Sequence, residues 1–157
     1  LTRAGIYESS FLGEAHINLY TEQVVWAGIH AWLEFCYELA IDNGLPPEEI
    51  IMVLYASTEN AEVFSLMARY GIYKQMRYHS TTSQYGTMTR AKELLNKEIR
   101  DKAKSFLVDD IIGGKFVKEF TDGHEEASKK LEKMRVEALE HPMSKLEGPI
   151  IEMIQRS

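Results

Sequence analysis

A chain of 157 residues, 45% apolar and 27% charged, has the size and composition of one folded domain rather than a disordered polymer. Its net charge of −6 and pI of about 5.4 leave no basic stripe for a nucleic-acid partner. The single cysteine, Cys36, rules out an internal disulfide and suits a reducing, cytoplasmic setting, with the thiol packed as a small hydrophobe.

Leu1–Phe11 carries no helical period and reads as an extended lead-in. A first helix is expected over Ala15–Asn43. Its stretch Val24–Ile41 is apolar on nearly every side, including Val24, Val25, Trp26, Ile29, Trp32, Phe35 and Leu39. A helix of that kind has to be enclosed, in a large core or between subunits. The run is also long enough to span a membrane, but His30, Glu34 and Glu38 interrupt it, and a carboxylate inside a bilayer is costly. No membrane association is expected, and no basic segment followed by an apolar core marks a signal peptide.

Asn43-Gly44 stops the first helix, glycine taking the left-handed cap position. Pro46-Pro47-Glu48-Glu49 opens a second, expected to run from about Pro47 to Tyr70 and to end near Gly71. Gly71–Gly86 is less regular, with a helical turn around Tyr73–Tyr78 and then the hydroxyl run Ser80–Ser83. An amphipathic helix is expected from about Thr89 to Ile112, broken by Gly113-Gly114, with Lys115–Phe120 as a short turn. A charged helix then runs from Asp122 to Glu140, His141-Pro142 ends it, and a last helix covers Ser144–Gln155. No stretch alternates with period two for long, so the fold class is all-α, a multi-helix bundle. The first two helices are too apolar for a chain of this size to cover alone, which predicts an obligate homodimer with an apolar interface.

Neither a dinucleotide fingerprint nor a phosphate-binding P-loop occurs among the glycines. His16, His30, His79 and His124 are scattered and read as solvated or hydrogen-bonded in place. The run Ser80–Ser83 lacks an evident His/Asp partner for nucleophilic work; turn capping explains it, with hydrogen bonding to an anion as the functional alternative. Asn18-x-x-x-Glu22 and Tyr55-x-x-x-Glu59 carry more chemistry. Carboxylates at i,i+4 share a helix face, and two such pairs meeting across a bundle make a dinuclear metal cage. Here each pair supplies one carboxylate, and a Glu with apolar flanks also reads as paired or snorkelling to water.

The order of motifs resembles the C-terminal domain of ketol-acid reductoisomerases (acetohydroxy acid isomeroreductases). Arg3-Ala-Gly-Ile-Tyr-Glu-Ser-Ser-Phe11 and then Asn18-Leu-Tyr-Thr-Glu-Gln23 are similar to that family's RAGVIETTF and DLFGEQ, at the same separation. Ser65-Leu-Met67, Met76-Arg-Tyr78, Ser80-x-Thr82-x-x-Tyr85-Gly86, Ile112-x-Gly114-x-Phe116-x-x-Glu119 and Glu140-His-Pro-x-x-Lys145 follow collinearly over residues 1–157.

The resemblance implies an all-α domain like the C-terminal domain of 6-phosphogluconate dehydrogenase, interlocked with a partner subunit. It implies that such a domain holds a pair of magnesium ions and a small 2-keto or 2-hydroxy acid. A separate N-terminal Rossmann domain, not found in this chain, would carry NADPH, so this chain would not be active alone. The reaction implied is magnesium-dependent alkyl migration and NADPH reduction, taking 2-acetolactate to 2,3-dihydroxyisovalerate in branched-chain amino acid biosynthesis.

Carried over by residue, Glu22 and Glu59 fall on metal-ligand positions, Glu59 and Ser80 on catalytic positions, and Ser80 on the serine that binds the substrate carboxylate. Asn18 and Tyr55 stand where the family has carboxylates, the placement of Tyr55 requiring a short indel. The alternative that this implies is a degenerate paralogue, a metal-free dimerisation or binding module.

Overall fold

The computed structural model describes residues 8–155, and their regular structure is all helical, with no strand among the described residues. In chain order the α-helices are α1 (Phe11–Tyr20), α2 (Ala27–Asp42), α3 (Pro47–Ile51), α4 (Glu59–Tyr70) and α5 (Thr81–Leu94). They continue with α6 (Lys97–Ser105), α7 (Lys115–Asp122), α8 (His124–Leu139) and α9 (Pro142–Gln155). Three widened, π-type turns join them, at Thr21–Trp26, Met52–Ala56 and Phe106–Ile112, and a tight 3₁₀ turn covers Lys74–Tyr78. Of the expected extended lead-in, residues 1–7 lie outside the described residues; Ser10 is extended and Phe11 is already helical.

Two compact units form, one from Leu1–Ala31 with Lys97–Ser128, the other from Trp32–Asn96 with Lys129–Ser157. In the first, the Ser10 hydroxyl accepts from the Gly13 N–H at 3.0 Å, supplying a donor at the start of α1 with the partner it would otherwise lack. α1 and the Thr21–Trp26 turn pack on the Phe106–Ile112 turn, where Ile111 is buried. Gly114 takes φ 73 and restarts the helix, so Lys115–Asp122 is a full helix and not the expected turn. Phe116 and Phe120, one helical turn apart, stack there at 6.2 Å.

The second unit is centred on Ile51, fully buried, with Tyr37 of α2 and Ile150 of α9. Leu54, Met143 and Leu146 pack around them. Asn43-Gly44 stops α2 as expected: Gly44 has φ 81 and the Leu45 N–H returns to the Ala40 carbonyl at 3.0 Å. The second predicted helix, by contrast, is broken. The Ser57 N–H reaches back five residues to the Met52 carbonyl at 3.0 Å, Thr58 takes φ 65, and α4 begins afresh at Glu59. The Asn60 amide folds over the break and donates to the Val53 and Leu54 carbonyls.

The helix expected over Thr89–Ile112 also divides. Ser80 caps α5 from Thr81 onward, and Leu95 turns extended before α6. Asn96 ahead of Lys97-Glu98 is a helix-start pattern that the amphipathic period conceals.

Phe11–Asp42 runs on as one helical rod of 32 residues, enough by length and composition to cross a membrane. One chain does not enclose it. Trp26 is 51% exposed, Phe35 48% and Leu39 50%. Cys36 is half-buried, and burial pushes its thiol above the usual value.

Candidate functional site

Asn18 and Glu22 both belong to the first unit, Asn18 on α1 and Glu22 on the widened turn that continues it. Both are exposed. The backbone N–H of Thr21 bonds the Asn18 carbonyl, and the Asn18 side chain is a neutral amide where the resemblance implies a carboxylate.

Tyr55, Glu59 and Ser80 belong to the second unit. Tyr55 lies on the Met52–Ala56 turn, half-buried, and its hydroxyl donates to Glu147 Oε1 at 2.5 Å. Burial pushes the phenol well above its ordinary range, and the hydrogen bond with Glu147 and that carboxylate's charge push it further. Glu59 is the exposed first residue of α4, at the positive end of the helix. The break at Thr58 means that Tyr55 and Glu59 are not successive positions on one helix face, which corrects the expected i,i+4 pair.

Ser80 sits where the 3₁₀ turn gives way to α5, and its setting is built by the buried Gln75 and the half-buried His79 and Gln84. Gln75, 1% exposed, receives a hydrogen bond on Oε1 from His79 Nε2 at 2.7 Å and donates to the Ile72 carbonyl. Gln84 donates to the His79 carbonyl at 2.8 Å. Held in this way, Ser80 Oγ accepts from the Ser83 N–H at 3.2 Å and keeps its own hydroxyl proton for another acceptor. Helix capping therefore occupies half of the hydroxyl's capacity, and an anion could take the other half.

The donor set does not fit a magnesium pair. Magnesium prefers several hard, charged oxygen ligands. The first unit offers one carboxylate beside a neutral amide. In the second unit the phenol at position 55 is held protonated and already bonded, and Glu59 has left its helical register.

Sequence reasoning missed Glu147, which no periodicity links to Tyr55. It also missed Glu34, Glu38 and His141, whose donor atoms lie within 4.8 Å of one another; the spacing Glu34-x-x-x-Glu38 was the available signal. This cluster is closed by hydrogen bonds. His141 Nδ1 accepts from the Met143 N–H at 3.3 Å, so the proton of the neutral ring is on Nε2, which faces Glu38 Oε1 at 3.4 Å. A metal would need that nitrogen bare. The first unit also has an open apolar groove of about 550 Å³ lined by Val24, Ala27, Gly28, Ile99 and Phe106.

The family model described as "Ketol-acid reductoisomerase, C-terminal domain" matches residues 11–156. The chain belongs to that family. Among curated relatives it is 32% identical over 152 residues to "Putative ketol-acid reductoisomerase 3" of Saccharolobus solfataricus, covering 94% of this chain and 44% of that protein. It is 27% identical over 146 residues to "Ketol-acid reductoisomerase (NADP(+))" of Pyrobaculum neutrophilum, covering 92% of this chain and 44% of the relative. The solved structure of an NADH-preferring ketol-acid reductoisomerase from an uncultured archaeon superposes with a TM-score of 0.85 at 25% identity, over 94% of this chain and 44% of that one. The chain thus spans 44% of the length of these reductoisomerases, and the helical fold expected from the resemblance is the fold found.

Proposed function

We propose that this ketol-acid reductoisomerase-type helical domain serves association rather than magnesium chemistry: it interlocks with a second copy of itself through the apolar rod and has given up the metal cage. The single observation that carries this is the region around Tyr55. Tyr55, to which the resemblance assigns a metal-ligand position, donates a hydrogen bond to Glu147, and the left-handed Thr58 separates Glu59 from it. The exposed Trp26, Phe35 and Leu39 support the homodimer, because an apolar helix face of this kind finds cover at a subunit interface.

A second reading is favoured by Glu22, Glu59 and Ser80, which remain. In it the chain contributes those residues to magnesium-dependent conversion of 2-acetolactate, with NADPH held by a domain outside this chain. Sedimentation of the purified chain over a wide concentration range tests the association reading. A dimer that persists on dilution is expected. A monomer at every concentration would overturn it.

A further inference from the structure

We propose that Asn43-Gly44 is a self-modifying site at the end of α2: the closed helix cap keeps it inert, opening of the cap lets it convert to aspartate or isoaspartate, and the converted cap closes less well than before. The inference is independent of the association reading. Neither the motifs nor the relatives assign a role to this pair.

Asparagine is a thermolabile residue, and a following glycine leaves the next amide nitrogen unshielded by any side chain. The Gly44 nitrogen attacks Cγ of the Asn43 side chain, its proton passes to the departing amide nitrogen, and ammonia leaves as a five-membered succinimide closes. Water then opens the ring at either carbonyl, giving aspartate or isoaspartate without any change of oxidation state. Asn18-Leu19, Asn60-Ala61 and Asn96-Lys97 lack the glycine, so position 43 alone carries this pairing. Asn43 and Gly44 are both exposed, so water reaches them.

In the folded chain both reacting groups are engaged elsewhere. Asn43 Nδ2 donates to the Leu39 carbonyl at 2.7 Å, and the Gly44 N–H donates to the Ile41 carbonyl at 2.9 Å. Attack requires both bonds to break, and the turn fixed by Gly44 at φ 81 and by the Leu45 N–H on the Ala40 carbonyl has to open. Conversion then reverses the sense of the contact. A carboxylate at position 43 has no donor for the Leu39 carbonyl, and it brings a charge to the negative end of α2. Asp42 already lies there, and the last turn holds no basic residue to offset a second acid. Isoaspartate also lengthens the backbone by one carbon, which the hydrogen-bonded turn does not accommodate.

The test is peptide mapping of the full chain by mass spectrometry after incubation in mildly alkaline buffer, folded and in denaturing urea, with the other three asparagines as internal references. Conversion at position 43 is expected to be at least about tenfold faster in urea, because closed local structure withholds its groups until it opens. At lower urea it should rise in step with hydrogen exchange of the Gly44 amide. In Asn43→Asp, which stands for one product, exchange of the Gly44 and Leu45 amides should quicken about twofold to fivefold, the scale of one charge at a helix end. Equal conversion in the folded and unfolded chain would overturn the proposal. So would unchanged exchange in Asn43→Asp, since the modified cap would then close as well as the natural one.

Discussion

Thr58 offers a test by sign as well as size. Its side chain makes no capping hydrogen bond, is exposed, and sits at φ 65, where a β-branched residue is strained. Left-handed backbone costs an L-residue about 1–2 kcal/mol, and glycine escapes this while giving back roughly 0.5–1 kcal/mol in unfolded-state entropy. Thr58→Gly should therefore stabilise the chain by about 0.5–1 kcal/mol, seen as a higher urea midpoint at unchanged slope. Thr58→Ala keeps the strain and should bring little gain. If residues 47–70 formed one continuous helix, the order would reverse. Alanine would then gain about 0.5 kcal/mol and glycine would lose a few tenths, by helix propensity. The two variants need measuring at one protein concentration, because a dimer's stability depends on it. Alanine stabilising and glycine destabilising would refute the break, and with it the separation of Glu59 from Tyr55.

Ile51→Ala removes a fully buried aliphatic side chain at the centre of the second unit and should cost about 2–5 kcal/mol in urea unfolding. His141→Ala removes the ring that accepts from the Met143 N–H at the start of α9 and should cost about 1 kcal/mol, most of it recovered by His141→Asn. Because the folded-state pKa of Tyr55 is raised, its contribution is fully present below the ordinary phenol range and is lost as pH rises through the folded value. The urea midpoint should fall at alkaline pH more steeply in the natural chain than in Tyr55→Phe. Lys145 holds the Glu140 carboxyl below the usual range through their hydrogen bond. In Lys145→Met, carboxyl chemical shifts should show Glu140 titrating at higher pH.

Much of the fold is legible in the sequence because its punctuation is local. Asn43-Gly44, Pro46-Pro47, Gly113-Gly114 and His141-Pro142 all stop or start helices where their backbone preferences require. What escaped was fixed by contacts between distant or non-periodic groups. The break at Thr58 depends on the Asn60 side chain capping carbonyls behind it, and a β-branched residue gives no hint of a left-handed turn. The widened turns that hold Glu22 and Tyr55 keep an apolar pattern close to that of an α-helix, so hydropathy cannot reveal them; such turns recur at functional sites. Around Tyr55, the partner Glu147 was not legible, since it lies on another helix 92 positions along the chain. Ser80 illustrates both sides: the hydroxyl run was expected to cap a turn, and Ser80 caps α5 while Thr81–Ser83 form its first turn, but the Gln75–His79 brace behind it is invisible in one dimension.

The most direct measurement is calorimetric titration of magnesium into the full chain, with and without a 2-hydroxy acid present. The account predicts no saturable heat through the millimolar range in either case. Saturable uptake of a pair of ions at sub-millimolar concentration, abolished by Glu22→Gln and by Glu59→Gln, would contradict it and establish this chain as a working metal domain.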